Sequence, residues 1–157
     1  MIKQNFYDLN FDQLKNFLVE KAEIDDKKAK MRAQQMFNAV YKKNIKNFDE
    51  LTTFGLELRE KIKNLISLEK PKIIDIQKSK DGTIKFLLEL KDKRNVETVL
   101  IPDKSQSRYT ICLSVSVGCY LSCEFCATAQ ISKKLVRNLT PGEIISQIIL
   151  CKDYIDD

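Results

Sequence analysis

The sequence predicts a chain that passes from α+β to α/β. A helical segment occupies residues 1–67, a small antiparallel β-hairpin region 68–104, and a βα unit of the kind that builds β/α barrels 105–157. Three observations carry this prediction. Apolar residues recur at helical spacing through the first third of the chain. Asp81-Gly82 then separates two apolar runs rich in isoleucine and leucine, which is a hairpin signal. Finally, Thr140-Pro141-Gly142-Glu143 reads as a capping box with proline at the first helical position, so a helix opens behind the last strand.

Element by element, Asn10 can cap a first helix whose Phe11, Leu14, Phe17 and Leu18 share one face. A second helix turns Ala29, Ala33, Met36, Phe37, Val40 and Tyr41 inward. A third, from about Leu58 to Ile66, buries Leu58, Ile62, Leu65 and Ile66. Lys70-Pro71 breaks the helical pattern, after which strands at Ile73–Ile76 and Thr83–Leu88 flank the Asp81-Gly82 turn. A third strand, Val96–Ile101, is expected to stop at Pro102, and the loop from Asp103 to Arg108 leads into a fourth, Tyr109–Val115. That strand alternates. Tyr109, Ile111, Leu113 and Val115 form a bulky face expected to pack on helices, while Thr110, Cys112, Ser114 and Ser116 form a small polar face expected to line a cavity. The final helix is expected to bury Ile144, Ile145, Ile148, Ile149, Cys151 and Ile155.

With 43% hydrophobic and 31% charged residues, the 157-residue composition is that of a soluble globular protein, and no apolar run approaches membrane-spanning length. No membrane partner is expected. The net charge is +5, and Lys27, Lys28, Lys30, Arg32, Lys42, Lys43 and Lys46 fall in a window without an acidic residue. Such a window is either a polyanion-binding face or the solvated surface of a lysine-rich helix. The chain opens without a signal peptide and its five cysteines cannot all pair, so the expected compartment is the reducing cytoplasm.

Cys119-x3-Cys123-x2-Cys126 places three thiols within eight residues. A [4Fe-4S] cluster normally takes four thiolates, so three would leave one iron open to a substrate or cosubstrate, which argues for chemistry rather than scaffolding. The competing assignment is structural zinc, which prefers four ligands from paired Cys or Cys/His units; this chain has no histidine. Cys112 and Cys151 stand outside the triplet. Each is either a buried small apolar residue or a functional thiol, and Cys151 sits on the apolar stripe of the last helix.

The triplet, with Phe125 directly before its third cysteine, resembles the cluster loop of radical S-adenosylmethionine (SAM) enzymes. Val96-Glu97-Thr98-Val99-Leu100-Ile101-Pro102, Cys112 seven residues ahead of Cys119, Arg137-Asn138-Leu139-Thr140 and Gly142-Glu143-Ile144 narrow the resemblance to one family. It is the dual-specificity RNA methyltransferases, which act on adenine C2 in 23S rRNA and tRNA. Asp81-Gly82-Thr83, Phe48-Asp49-Glu50-Leu51 and Leu58-Arg59-Glu60-Lys61 extend the similarity over nearly the whole chain.

The resemblance implies an RNA-binding accessory domain followed by the first βα unit of an incomplete radical SAM β/α barrel. It implies that Cys119, Cys123 and Cys126 hold a [4Fe-4S] cluster whose open iron binds SAM. Cys112 is implied to be the cysteine that helps resolve a protein–RNA adduct through a disulfide, and Glu97 a proton acceptor; a glutamate on a strand can equally be an exposed residue of a half-solvated sheet. Implied partners are 23S rRNA, tRNA and an electron-donor protein, with the chain itself monomeric. The methyl-carrying cysteine and further βα units are expected beyond residue 157, so this chain alone is expected not to methylate RNA. Two alternatives remain: a paralogous methyltransferase acting at adenosine C8, and a non-catalytic RNA-binding fragment.

Overall fold

The computed structural model describes residues 3–103, 105, 107–121, 123–126 and 135–156. Parts of two expected loops, around 104–106 and between Cys126 and Arg137, lie outside the described residues, as does the expected domain limit at 104. The chain divides into two compact units, residues 1–69 and 70–157.

In the first unit, a short strand β1 (Gln4–Asn5) leads to α1 (Phe11–Glu20), which opens as its sequence predicts. The Gln13 amide N–H donates to Asn10 Oδ1, and the Asn10 N–H donates to Gln13 Oε1, each at 2.9 Å. Two backbone donors that the helix cannot satisfy internally are thereby paired. Leu14 and Leu18 are fully buried. The second helix, α2 (Asp26–Phe37), starts where the Asp25 carboxylate accepts from the Lys27 N–H. It buries Ala29, Ala33 and Met36, then widens into a π-turn over Asn38–Lys42. That wider turn brings Tyr41 to Phe6, ring centroids 5.8 Å apart, in a cluster that also holds Phe37 and Phe48.

The third helix, α3 (Leu56–Leu65), begins two residues before the expected start and releases Ile66 into β2 (Ile66–Ser67), which pairs in parallel with β1. Ile66 is buried as expected, but from a strand: the β1 backbone offers it a ladder partner that sequence periodicity cannot reveal.

The second unit is built on an antiparallel sheet of β3 (Lys72–Lys78), β4 (Ile84–Glu89), β5 (Asn95–Asp103) and β6 (Arg108–Cys112), in that order. Gly82, at φ +96°, makes the predicted β3–β4 turn, a backbone conformation that a side chain would strain. Contrary to expectation, β5 continues through Pro102. The β4 partners end at Leu100, so the missing proline N–H costs no bond on that side. The fourth strand stops at Cys112 rather than Val115. After it come a two-residue strand β7 (Ser116–Val117), its partner β8 (Arg137–Asn138), and α4 (Pro141–Asp156).

Phe86, Leu88 and Leu90, then Val96 and Leu100, present one face of the sheet to a core completed by Leu139 and Cys151, with Ile111, Ile144, Leu150 and Tyr154 packed around it. Phe86 and Tyr154 meet edge to face at 5.1 Å. The expected stripe of α4 is only half right. Ile149 and Cys151 are buried, but Ile148 and Ile155 are exposed, and Ser146 and Gln147 take their place inside. Likewise Tyr109 and Val115 are exposed, so the bulky face of the fourth strand packs through Ile111 and not as a whole.

Candidate functional site

The cysteine loop rises from a hydrogen-bonded base. The β7–β8 pair is extended by Val136 N–H to Val117 C=O at 2.8 Å and by Leu139 N–H to Val115 C=O at 2.9 Å. Gly118, at φ +76°, turns the chain toward Cys119, and the Ser116 hydroxyl caps the turn by donating to the Gly118 carbonyl at 3.1 Å. The Leu121 N–H donates to Cys119 Sγ at 3.4 Å, and the Cys126 N–H to the Cys123 carbonyl at 3.0 Å. Tyr120, Leu121 and Phe125 stand out into solvent, Phe125 with 92% of its surface exposed.

In donor chemistry the triplet suits an iron–sulfur cluster, and Cys119, Cys123 and Cys126 are all partly accessible. In position it does not yet do so: among the described residues no three Cys, Asp or Glu side chains converge where a metal ion could sit.

Glu97 and Cys112 share the open face of the sheet, opposite the core. Val96, Thr98 and Leu100 point inward, so Glu97 and Val99 point out, and Cys112 is the register partner of Val99. The Glu97 carboxylate is exposed and lies 3.0 Å from Lys85 Nζ, a diagonal cross-strand pair. Cys112 is exposed as well, so the small polar face expected to line a cavity is open to solvent at Thr110 and Cys112. Cys151 is fully buried, and burial pushes its thiol up to about 11.

Two polar contacts tie the loop to α4. Gln147 is fully buried. Its Oε1 accepts from the Thr98 hydroxyl at 2.7 Å and from the Ser114 N–H at 2.9 Å. Its Nε2 donates to the Ser114 carbonyl at 2.9 Å and to the Glu143 carbonyl at 3.1 Å. On the other side, the Arg137 guanidinium grips Glu143 with two bonds of 2.7 and 2.8 Å and reaches Asp92 at 2.8 Å. Hydrogen bonding to Arg137 holds both carboxyls below their ordinary range and the guanidinium above its own. The predicted capping box is present, with Glu143 N–H to Thr140 Oγ1 at 3.2 Å and Thr140 N–H to Glu143 Oε2 at 2.8 Å. Sequence reasoning missed Gln147. Its signal was a glutamine inside the apolar run Ile144 to Leu150, one turn after Glu143.

On the helical unit, Lys27, Lys28, Lys30, Lys42, Lys43 and Lys46 are exposed. Arg32 is spent internally. Its guanidinium stacks 4.8 Å over the Phe54 ring and donates to the Thr53 carbonyl and to Gln35 Oε1. Among the described residues no helix is long and apolar enough to cross a membrane.

Residues 4–68 match the family described as ribosomal RNA large subunit methyltransferase N-terminal domain. The chain is 41% identical over 149 residues to a protein of Oleidesulfovibrio alaskensis named dual-specificity RNA methyltransferase RlmN, covering 95% of this chain and 40% of that one. A protein of Staphylococcus aureus named probable dual-specificity RNA methyltransferase RlmN is 38% identical over 154 residues, covering 98% and 40%. The crystal structure of a radical SAM methyltransferase from Sphaerobacter thermophilus superposes with a TM-score of 0.82 at 30% identity, over 98% of this chain and 42% of that one. The chain thus spans about two fifths of the length of the relatives it matches.

Proposed function

We propose, from a chain related over nearly its whole length to the dual-specificity RNA methyltransferases, that it supplies the RNA-facing and cluster-holding parts of an enzyme that methylates adenosine C2 in 23S rRNA and tRNA. The observation that carries this reading is the cysteine triplet, set on its β-hairpin base within a fold shared with a radical SAM methyltransferase. Residues 1–67 serve as the RNA-binding accessory domain, 68–104 as the linking sheet, and 105–157 as the opening βα unit of a radical SAM barrel.

Cys119, Cys123 and Cys126 would hold a [4Fe-4S] cluster, which when bound supplies the electron for SAM cleavage. Adenine C2 is an electron-poor carbon between two ring nitrogens, so it cannot attack a methyl cation donor as an amine would; the enzyme has to work by another route. This chain contributes Cys112, an accessible thiol on the open sheet face, for release of the protein–RNA adduct, and Glu97 on the same face as proton acceptor. Cys151, buried in the core, is unsuited to carry a methyl group to RNA. The exposed lysines of α2 face the phosphate backbone. The setting is the cytoplasm, with a protein reductant and a monomeric enzyme.

Anaerobic reconstitution with iron and sulfide tests the reading: one cluster per chain is expected by absorbance and EPR, abolished by alanine at Cys119, Cys123 or Cys126 and kept in Cys112→Ala. Cluster loss in Cys112→Ala overturns the division of roles. Nucleoside mass spectrometry of RNA incubated anaerobically with SAM and reductant should show no 2-methyladenosine from this chain alone and 2-methyladenosine once a polypeptide supplying the further βα units is added; 8-methyladenosine instead would assign the paralogous C8 chemistry.

A further inference from the structure

The geometry points to Gln147 as a positioning residue for the cysteine loop: its amide locks the chain at Ser114, just ahead of the loop, so that the three thiols close on their metal from a fixed base. The inference rests on the cluster reading above and adds a residue that the triplet does not contain.

A primary amide buried without partners is strongly destabilising, so a glutamine is kept on an apolar helix face only where its hydrogen bonds are met. Here they are met four times, and three of those four bonds leave the helix. Both backbone groups of Ser114 are engaged by the one side chain, in the manner of a strand partner. This occurs where β6 has ended and β7 has not begun, so the segment has no ladder of its own there. The Ser114 hydroxyl adds a bond to the Glu97 carbonyl at 2.7 Å. Ser114 is therefore held from β5 and from α4 together.

The far side of the loop is held from the same helix. Arg137 of β8 is clamped by Glu143, one helical turn before Gln147, and by Asp92 of the β4–β5 turn. Two successive turns of α4 thus hold the entry and the return of the loop, and the β7–β8 pair joins them. The thiols themselves are not gathered among the described residues. A base held at both ends limits the entropy lost when three thiols gather on one cluster. Groups bonded directly to metal ligands typically contribute about 10- to 100-fold in metal affinity, and Gln147, which acts through the backbone at Ser114, is expected at the lower end of that range.

The test uses the whole chain and two variants. Gln147→Met keeps side-chain volume and removes the amide; Thr98→Val removes one hydroxyl and leaves the helix untouched. Ser146→Ala, on the same turn, is the control. Each is reconstituted anaerobically with ferrous iron and sulfide, and cluster loss to a ferrous chelator is followed by absorbance. Backbone hydrogen exchange is measured on the metal-free forms.

Gln147→Met is expected to lose cluster about tenfold faster or more, with protection lost at 114–117 and retained in β4 and β5. Thr98→Val is expected to shift in the same direction by less, and Ser146→Ala not at all. Cluster retention at the wild-type rate in Gln147→Met, or in Thr98→Val should the first variant fail to fold, overturns the inference while leaving the triplet as ligands. A wild-type chain that takes up no iron overturns both.

Discussion

Cys112 and Cys151 carry the same thiol, and their surroundings separate them. At pH 8 a thiol alkylator should label Cys112 in the native chain and leave Cys151 unmodified until the protein unfolds; peptide mapping reads this directly. Because burial raises the Cys151 thiol to about 11, the neutral form is the one the fold accommodates. Its contribution is complete below the unfolded thiol value near 9 and is lost as pH rises through about 11, on the order of 2 kcal/mol. Cys151→Ala should flatten that alkaline limb in urea titrations. The carboxyls of Glu143 and Asp92 behave in the opposite sense. Held low by Arg137, they contribute stability above about pH 4 that is lost as pH falls through their folded values. Arg137→Gln should shrink the acid-side decline, and an unchanged acid limb would show that the clamp adds nothing to stability. The Ser146 hydroxyl, buried without a partner among the described residues, predicts a further outcome: Ser146→Ala should be neutral or more stable by up to about 1 kcal/mol.

At the scale of elements, α2 divides its positive charge between two tasks. Lys27, Lys28 and Lys30 face solvent, whereas Arg32 is committed to Phe54 and the Thr53 carbonyl. Replacing the three lysines by alanine should leave the melting temperature nearly unchanged and lower the salt slope of RNA binding by about 0.7–0.9 for each phosphate no longer neutralised. Arg32→Ala should instead destabilise the helical unit by about 1–2 kcal/mol, seen by urea denaturation with helical ellipticity as probe. An RNA affinity unmoved across the salt titration in the triple variant would return those lysines to a merely solvated surface. The last helix shows the same division between local and distant causes. Its start was legible because Thr140, Pro141 and Glu143 act within one turn, and such local bonds are written in adjacent residues. Its rotation was not legible, because the inward face is decided by Thr98 and Ser114, far away in sequence.

For the molecule as a whole, residues 1–69 close their own core around Phe6, Leu14, Leu18, Met36 and Ile62. That segment, expressed alone, should therefore give a helical, cooperatively melting domain, small enough for its stability to be modest. A structureless 1–69 peptide by circular dichroism would contradict a self-contained unit.

By itself the sequence determined what is local: the Asn10 and Thr140 helix starts, the Asp81-Gly82 hairpin and the buried alanines of α2, and it set out a cysteine triplet whose spacing suits an iron–sulfur cluster. Turns, caps and short spacings depend on neighbours a few residues apart, so reading along the chain is enough. Tertiary structure alone decided the rest. It put Glu97 and Cys112 on one open sheet face through the β5–β6 register, withdrew Arg32 from the basic surface, and buried Gln147 in place of Ile148. Each of these outcomes depends on which distant backbone group competes for a hydrogen bond, and periodicity carries no record of that competition.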